Sequence, residues 1–137
     1  FISSCSIACG GHIGDEYSMT ITVRNALLNG LRVGAHPAYP DKGNFGRLSL
    51  DLPLADLTAA LFSQISTLRV IVKQEGGQLA FVKPHGALYN DMVKNGALAD
   101  AVIDTIKRID PNLPLMGLAG SDLDKRCAAR NVSFIFF

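Results

Sequence analysis

Apolar positions along this chain alternate between two patterns. Short, nearly continuous runs are separated by longer stretches in which apolar residues recur every three or four positions. The first pattern fits strands buried on both faces, and the second fits amphipathic helices. Ser3 to Cys9 reads as a strand. Asp15 is a plausible N-cap for a helix that carries Met19, Val23, Ala26 and Leu27 on one side and stops at Gly30. Leu31 to Ala35 reads as the next strand, followed by a Gly/Pro/Asp-rich loop from Pro37 to about Leu48. Leu54, Leu57, Leu61, Ile65, Leu68 and Val72 mark the clearest helix, with Pro53 at its start and Gly76-Gly77 at its end. Leu79 to Lys83 is a strand, and Leu98, Val102, Ile106 and Ile109 mark a helix closed by Asp110-Pro111. Leu115 to Leu118 is a strand, and Ser121 with Asp124 resembles a capping box for a helix ending near Asn131. Val132 to Phe137 is the last strand.

This pattern predicts five strands and four helices in strict alternation. Such an order gives a parallel sheet with right-handed crossovers and helices outside it. The whole of 1–137 reads as a single α/β domain with no linker or internal repeat. Either a doubly wound sheet or part of a β/α barrel fits. A complete barrel usually needs ~200–250 residues, so a barrel reading makes the chain its central portion. The chain opens on Phe1 and closes on Ser133-Phe134-Ile135-Phe136-Phe137, which reads as a barrel incomplete at both ends.

With 137 residues, 48% of them hydrophobic and 18% charged, the chain can build one substantial core. A domain of this size should bury ~65–70% of its unfolded surface. The formal net charge of +1 gives no reason to expect nucleic acid or an anionic membrane as partner. No signal-peptide pattern opens the chain. Cys5, Cys9 and Cys127, an odd set without a CxxC, read as reduced thiols of a cytoplasmic protein.

The candidate chemistry lies in the histidines. His12, His36 and His85 each stand where a predicted strand ends. In alternating β/α proteins the strand-to-helix loops open on one face, so three imidazoles should meet there. Three neutral imidazoles suit a divalent metal such as zinc, and they equally suit general acid–base work. Asp15 and Asp41 are the nearby carboxylates, and Asp15 is also a natural helix cap. Arg47 could hold a carboxylate or phosphate in a bidentate fork, or be an ordinary solvated arginine. Lys83, His85, Tyr89 and Asn90 put four polar groups within eight residues.

Three segments carry a resemblance: Ser6-Ile7-Ala8-Cys9-Gly10-Gly11-His12-Ile13-Gly14-Asp15; Gly34-Ala35-His36-Pro37-Ala38-Tyr39-Pro40-Asp41 with Phe45-Gly46-Arg47; and Lys83-Pro84-His85-Gly86-Ala87-Leu88-Tyr89-Asn90. In order and interval they resemble the LamB/YcsF family, the lactam-utilisation proteins that form the A component of prokaryotic 5-oxoprolinase. Ser6, Gly11, Asn44 and Leu48 depart from its usual residues. The resemblance implies an irregular seven-stranded β/α barrel, similar to polysaccharide deacetylases. It implies ATP-dependent opening of the lactam of 5-oxo-L-proline to L-glutamate, with subunits B and C as partners. It directs attention to His12, Asp15, His36 and His85 for catalysis, and to Asp41, Arg47, Lys83, Tyr89 and Asn90 for substrate. No segment here reads as an ATP loop. Two other readings stay open: a metal-dependent, deacetylase-like hydrolase using His12, His36 and His85 as ligands, and a non-catalytic substrate-binding subunit.

Overall fold

The computed structural model describes residues 3–137. Five parallel strands form one sheet: β1 (Ser4–Ala8), β2 (Arg32–His36), β3 (Leu79–Val82), β4 (Leu115–Gly117) and β5 (Phe134–Phe136). Their order in the sheet is β1-β2-β3-β4-β5, the order of the chain. A doubly wound sheet reverses order at a switch point, and this one does not. With right-handed crossovers, an unreversed order stacks every helix on the same face. This is the β/α-barrel-like alternative of the two.

The helices are α1 (Glu16–Leu28), α2 (Leu54–Gln74), α3 (Gly86–Lys94), α4 (Gly96–Ile109) and α5 (Leu123–Ala129), with a short 3-10 turn at Lys42–Asn44. Their buried faces follow the sequence periodicity. α1 buries Met19, Val23 and Ala26, and α4 buries Leu98, Val102, Ile103 and Ile106. These residues join Val33, Ala35, Val82 and Leu115 of the strands in one core. Each fully buried aliphatic side chain contributes ~1.5–3 kcal/mol. α2, by length and composition, could also cross a membrane. Here its Leu57, Leu61, Ile65, Leu68 and Val72 are buried in that core.

Two expectations are corrected. There are five helices among the described residues, not four, because Asn95 breaks the third crossover into α3 and α4. Asn95 leaves helical geometry (φ −127°, ψ 105°), and its side-chain oxygen accepts from Leu98 N at 3.2 Å to start α4. The Ser121–Asp124 capping box does not form. The Ser121 hydroxyl donates back to Leu118 O (3.0 Å), and the Asp124 carboxylate accepts from Lys125 N. α5 therefore starts with no side-chain cap.

Both sheet edges, β1 and β5, have a strand neighbour on one side only among the described residues. Phe136 is 70% exposed, whereas Phe134 packs against the core. Cys9 and Cys127 are buried, and none of the three cysteines is in a disulfide.

Candidate functional site

The three histidine-bearing loops lie side by side because the strands before them do. Ala8 pairs with His36, and Lys83 N donates to Ala35 O (2.8 Å). Backbone hydrogen bonds then tie loop to loop. Asp41 N donates to Gly11 O (3.0 Å), His85 N to Pro37 O (2.8 Å), and Ala87 N to Gly46 O (3.1 Å). These bonds hold the ends of three separate crossovers at fixed spacing.

The rings meet as the strand-end positions predict. His12 stacks on His85 with centroids 3.9 Å apart and planes at 12°. His36 stands edge-on to both, at 5.5 Å from His12 and 4.8 Å from His85. His36 Nδ1 donates to the carbonyl of Lys83 (2.5 Å). His85 Nε2 donates to the carbonyl of Phe45 (2.9 Å). His36 Nε2 and His85 Nδ1 face each other at 2.9 Å. His12 is only 6% exposed, and its Nδ1 has no hydrogen-bond partner among the described residues. Burial pushes the His12 pKa down to about 4, with repulsion from His85 and His36 adding to it. The pKa of His36 is also lowered, first by burial; its bond to the Lys83 carbonyl opposes the shift.

The Asn44-Phe45-Gly46-Arg47 segment supports these rings from the side. Phe45 adopts a left-handed conformation (φ 53°), unusual for a residue with a bulky side chain, and so turns its carbonyl toward His85. Gly46 is also left-handed (φ 65°). A Cβ on it would lie 2.8 Å from Ala38 Cβ, 3.0 Å from His12 Cβ and 3.4 Å from His85 Cδ2. Only glycine fits there.

Beside the cluster lies an open cleft of about 310 Å³, lined in part by His36, Lys83, Tyr89, Asn90 and Phe137. The Lys83 ammonium sits 4.3 Å from the centre of the Phe137 ring. The Tyr89 hydroxyl accepts from Leu118 N (2.8 Å). Of the three histidines, only His36 lines this cleft.

A family model for LamB/YcsF matches residues 1–136. The chain belongs to the LamB/YcsF family. A solved structure described as a lactam utilization protein from Thermus thermophilus superposes with a TM-score of 0.94 at 36% sequence identity. The match covers 98% of this chain and 54% of that one, so this chain spans about half the length of that relative.

Among the candidate residues of this LamB/YcsF chain, the structure brings some together and separates others. His12, His36 and His85 form one cluster, with one possible ligand atom from each lying within 4.8 Å of the others. Lys83, Tyr89 and Asn90 share the neighbouring cleft. Asp15 joins neither group. Its carboxylate accepts from Ser18 N (2.8 Å) while its own N–H donates to the Ser18 hydroxyl, so it caps α1. Those bonds to Ser18 hold its pKa below the usual carboxylate range. Asp41 accepts from the Asn44 amide (2.8 Å), which braces its own loop. Arg47 is exposed beside the Phe45 ring and lies outside the cleft lining.

Gln64 is a site-building residue that the motifs and periodicity do not single out. It is 8% exposed, on the buried stripe of α2. Its Nε2 donates to Ala38 O (2.9 Å) and its Oε1 accepts from Ala38 N (3.1 Å), pinning the loop that begins at His36. A Cβ on Gly11 would come within 2.5 Å of that same amide, so Gly11 leaves room for it beside His12. The one signal in the sequence is an amide at an apolar-stripe position, three residues after Leu61.

Proposed function

We propose that this chain supplies the lactam-opening site of an ATP-dependent 5-oxoprolinase, converting 5-oxo-L-proline to L-glutamate together with subunits B and C. The reading takes the chain as part of a longer cytoplasmic protein built on a seven-stranded irregular barrel. The observation that carries it is the cluster of three imidazoles at strand ends, beside a cleft that presents an ammonium. In this reading Lys83 holds the substrate carboxylate, with Tyr89 and Asn90 placed to bond the ring amide. A histidine of the cluster moves a proton as water adds to the carbonyl carbon and the C–N bond breaks, leaving a carboxylate and an amine. A five-membered lactam is a stabilised amide and a poor electrophile, so coupling to ATP is chemically reasonable. The lactam-utilization description of the Thermus relative supports the substrate class.

The test is an assay of the full-length protein with its partner subunits, ATP and 5-oxoproline, following glutamate. His85→Ala should cut turnover by ~10²–10⁴-fold with the circular dichroism spectrum unchanged. Near wild-type turnover would remove His85 from the mechanism. If titration calorimetry showed 5-oxoproline binding while no combination of subunits turned it over, the chain would be a binding subunit instead. A second reading, a metal-dependent deacetylase-like hydrolase, is favoured by the close approach of the three rings. It predicts ATP-independent hydrolysis of an acyclic amide, lost on chelation.

A further inference from the structure

The nine residues of α3 are too few to hold a helix by themselves, so its place is set by what grips it. Ala87, Leu88 and Met92 bury one side of it in the core. Its first turn is tied to the loop after β2, where the Ala87 N–H donates to the Gly46 carbonyl (3.1 Å). One turn further on, the Tyr39 hydroxyl of that same loop donates to the Asp91 carboxylate at 2.6 Å. That length is the one expected when a hydroxyl meets a charged acceptor. Tyr39 is 3% exposed, and burial, then the Asp91 carboxylate, pushes its pKa up, so the hydroxyl keeps its proton. Neither residue lines the cleft beside the histidines.

Tyr89 and Asn90 of the same helix do line that cleft. Asp91 and Tyr89 are two residues apart, ~200° round the helix, so their side chains leave it on opposite sides. On the Tyr89 side, the hydroxyl accepts from Leu118 N just past β4 (2.8 Å). Two tyrosine bonds therefore hold α3 from opposite sides, one to the loop after β2 and one to the chain after β4. We propose that Tyr39 and Asp91 are a positioning pair: their bond sets the rotation of α3, and with it the place of Tyr89 and Asn90 in the cleft. A side-chain tip ~5–6 Å from a helix axis moves ~1 Å when the helix turns by ~10°. A shift of that size is enough to break a hydrogen bond or misplace a substrate contact. A cavity of about 280 Å³ borders both Tyr39 and Asp91. Without the Tyr39 hydroxyl, the Asp91 carboxylate turns toward that space and α3 turns with it. His36 and His85 do not depend on this pair, because each has its own backbone carbonyl.

The effect on substrate rests on the proposed lactam site, whereas the effect on Tyr89 is read without lactam or ATP. Amide hydrogen exchange at Leu118 is followed in the full-length protein, since that N–H is bonded to Tyr89. Tyr89→Phe removes the acceptor and sets the rate for complete loss of the bond. Tyr39→Phe removes only the hydroxyl on the far side of α3, and should speed Leu118 exchange by about tenfold, close to the Tyr89→Phe rate, with the amides of β2 and β3 unchanged. Asp91→Leu breaks the same bond from the helix side and should match it. The double variant Tyr39→Phe/Asp91→Leu should be no faster than either single one. Asp91→Asn keeps an oxygen for the hydroxyl, so its Leu118 exchange should stay within about twofold of wild type. With partner subunits, ATP and 5-oxoproline, Tyr39→Phe should raise KM by about tenfold and lower kcat by less. Leu118 exchange at the wild-type rate in both Tyr39→Phe and Asp91→Leu would overturn the proposal. So would faster exchange throughout the sheet, which would reduce the bond to a matter of general stability. A Leu118 response in a protein that opens no lactam would remove the proposed activity and leave the positioning pair standing.

Discussion

Replacing Gln64 by leucine isolates how much a helix behind the site contributes to its shape. The side chains are similar in volume, so the change keeps the α2 stripe filled. What is lost is the pair of hydrogen bonds to Ala38, at 2.9 and 3.1 Å, together with a weak 4.0 Å bond that Gln64 Oε1 accepts from the buried Cys9 thiol. Ala38 is fully buried (0% exposed), so water cannot replace the amide without reopening the loop. A buried backbone group left without a partner costs ~1–3 kcal/mol. Two such groups, less a small gain from no longer burying an amide, give a loss of about 2–5 kcal/mol. Against a typical total of ~5–15 kcal/mol this is a large fraction. Urea unfolding of the full-length protein should show a lower midpoint with an unchanged slope, since the buried surface is the same. Gln64→Glu gives an internal check. An ionised glutamate keeps the bond from Ala38 N but cannot donate to Ala38 O. Burial raises the pKa of such a carboxyl, and once protonated it can donate again. The Glu variant should therefore approach wild-type stability as pH falls, and the Leu variant should not. A stability loss under about 0.5 kcal/mol in Gln64→Leu would refute the reasoning, because it would mean that Ala38 finds other partners at no cost.

Gly46→Ala forces a left-handed alanine into Ala38 and His12, and should cost about 2–4 kcal/mol in urea unfolding and lower activity sharply. Gly76→Ala is also left-handed but has open space around it, so it should cost only about 1–2 kcal/mol and leave activity intact. Asp15→Ala should reduce thermal stability at neutral pH. The Asp15 carboxyl is held below its ordinary value of 3.8, so its contribution is present above that pH and fades as pH drops through the lowered value; the wild-type and variant melting curves should converge there. Lys83→Ala should raise the 5-oxoproline KM more than it lowers kcat, whereas Arg47→Ala, exposed and outside the cleft lining, should change KM by less than about threefold; the reverse order in steady-state kinetics would make Arg47 the carboxylate anchor.

The amino-acid sequence determined the strands, most of the helices and the face on which the three histidines gather. Those features are local or periodic. Apolar residues three and four apart specify a helix face, a short apolar run specifies a buried strand, and a histidine at a strand end is carried to the loop face by the β/α alternation. The motifs around His12, His36 and His85 are distinctive enough to carry the family resemblance without coordinates. The tertiary structure decided matters set by partners far apart in the chain. Asn95, flanked by Lys94 and Gly96, gives little periodic warning that it splits one crossover into α3 and α4. Ser121 and Asp15 offer the same kind of capping side chain, yet only Asp15 caps. The path of the chain before α5 brings Ser121 back onto the Leu118 carbonyl instead. The unreversed strand order chose between two architectures that share one secondary-structure pattern. The roles of Gln64 and the Phe45 carbonyl depend on contacts across 26 and 40 residues, and Gly46 lies against His12 and His85 from two other crossovers. Periodicity reports which face a residue occupies. It carries no information about which distant carbonyl a ring nitrogen will meet, and those carbonyls fix where the histidine lone pairs point.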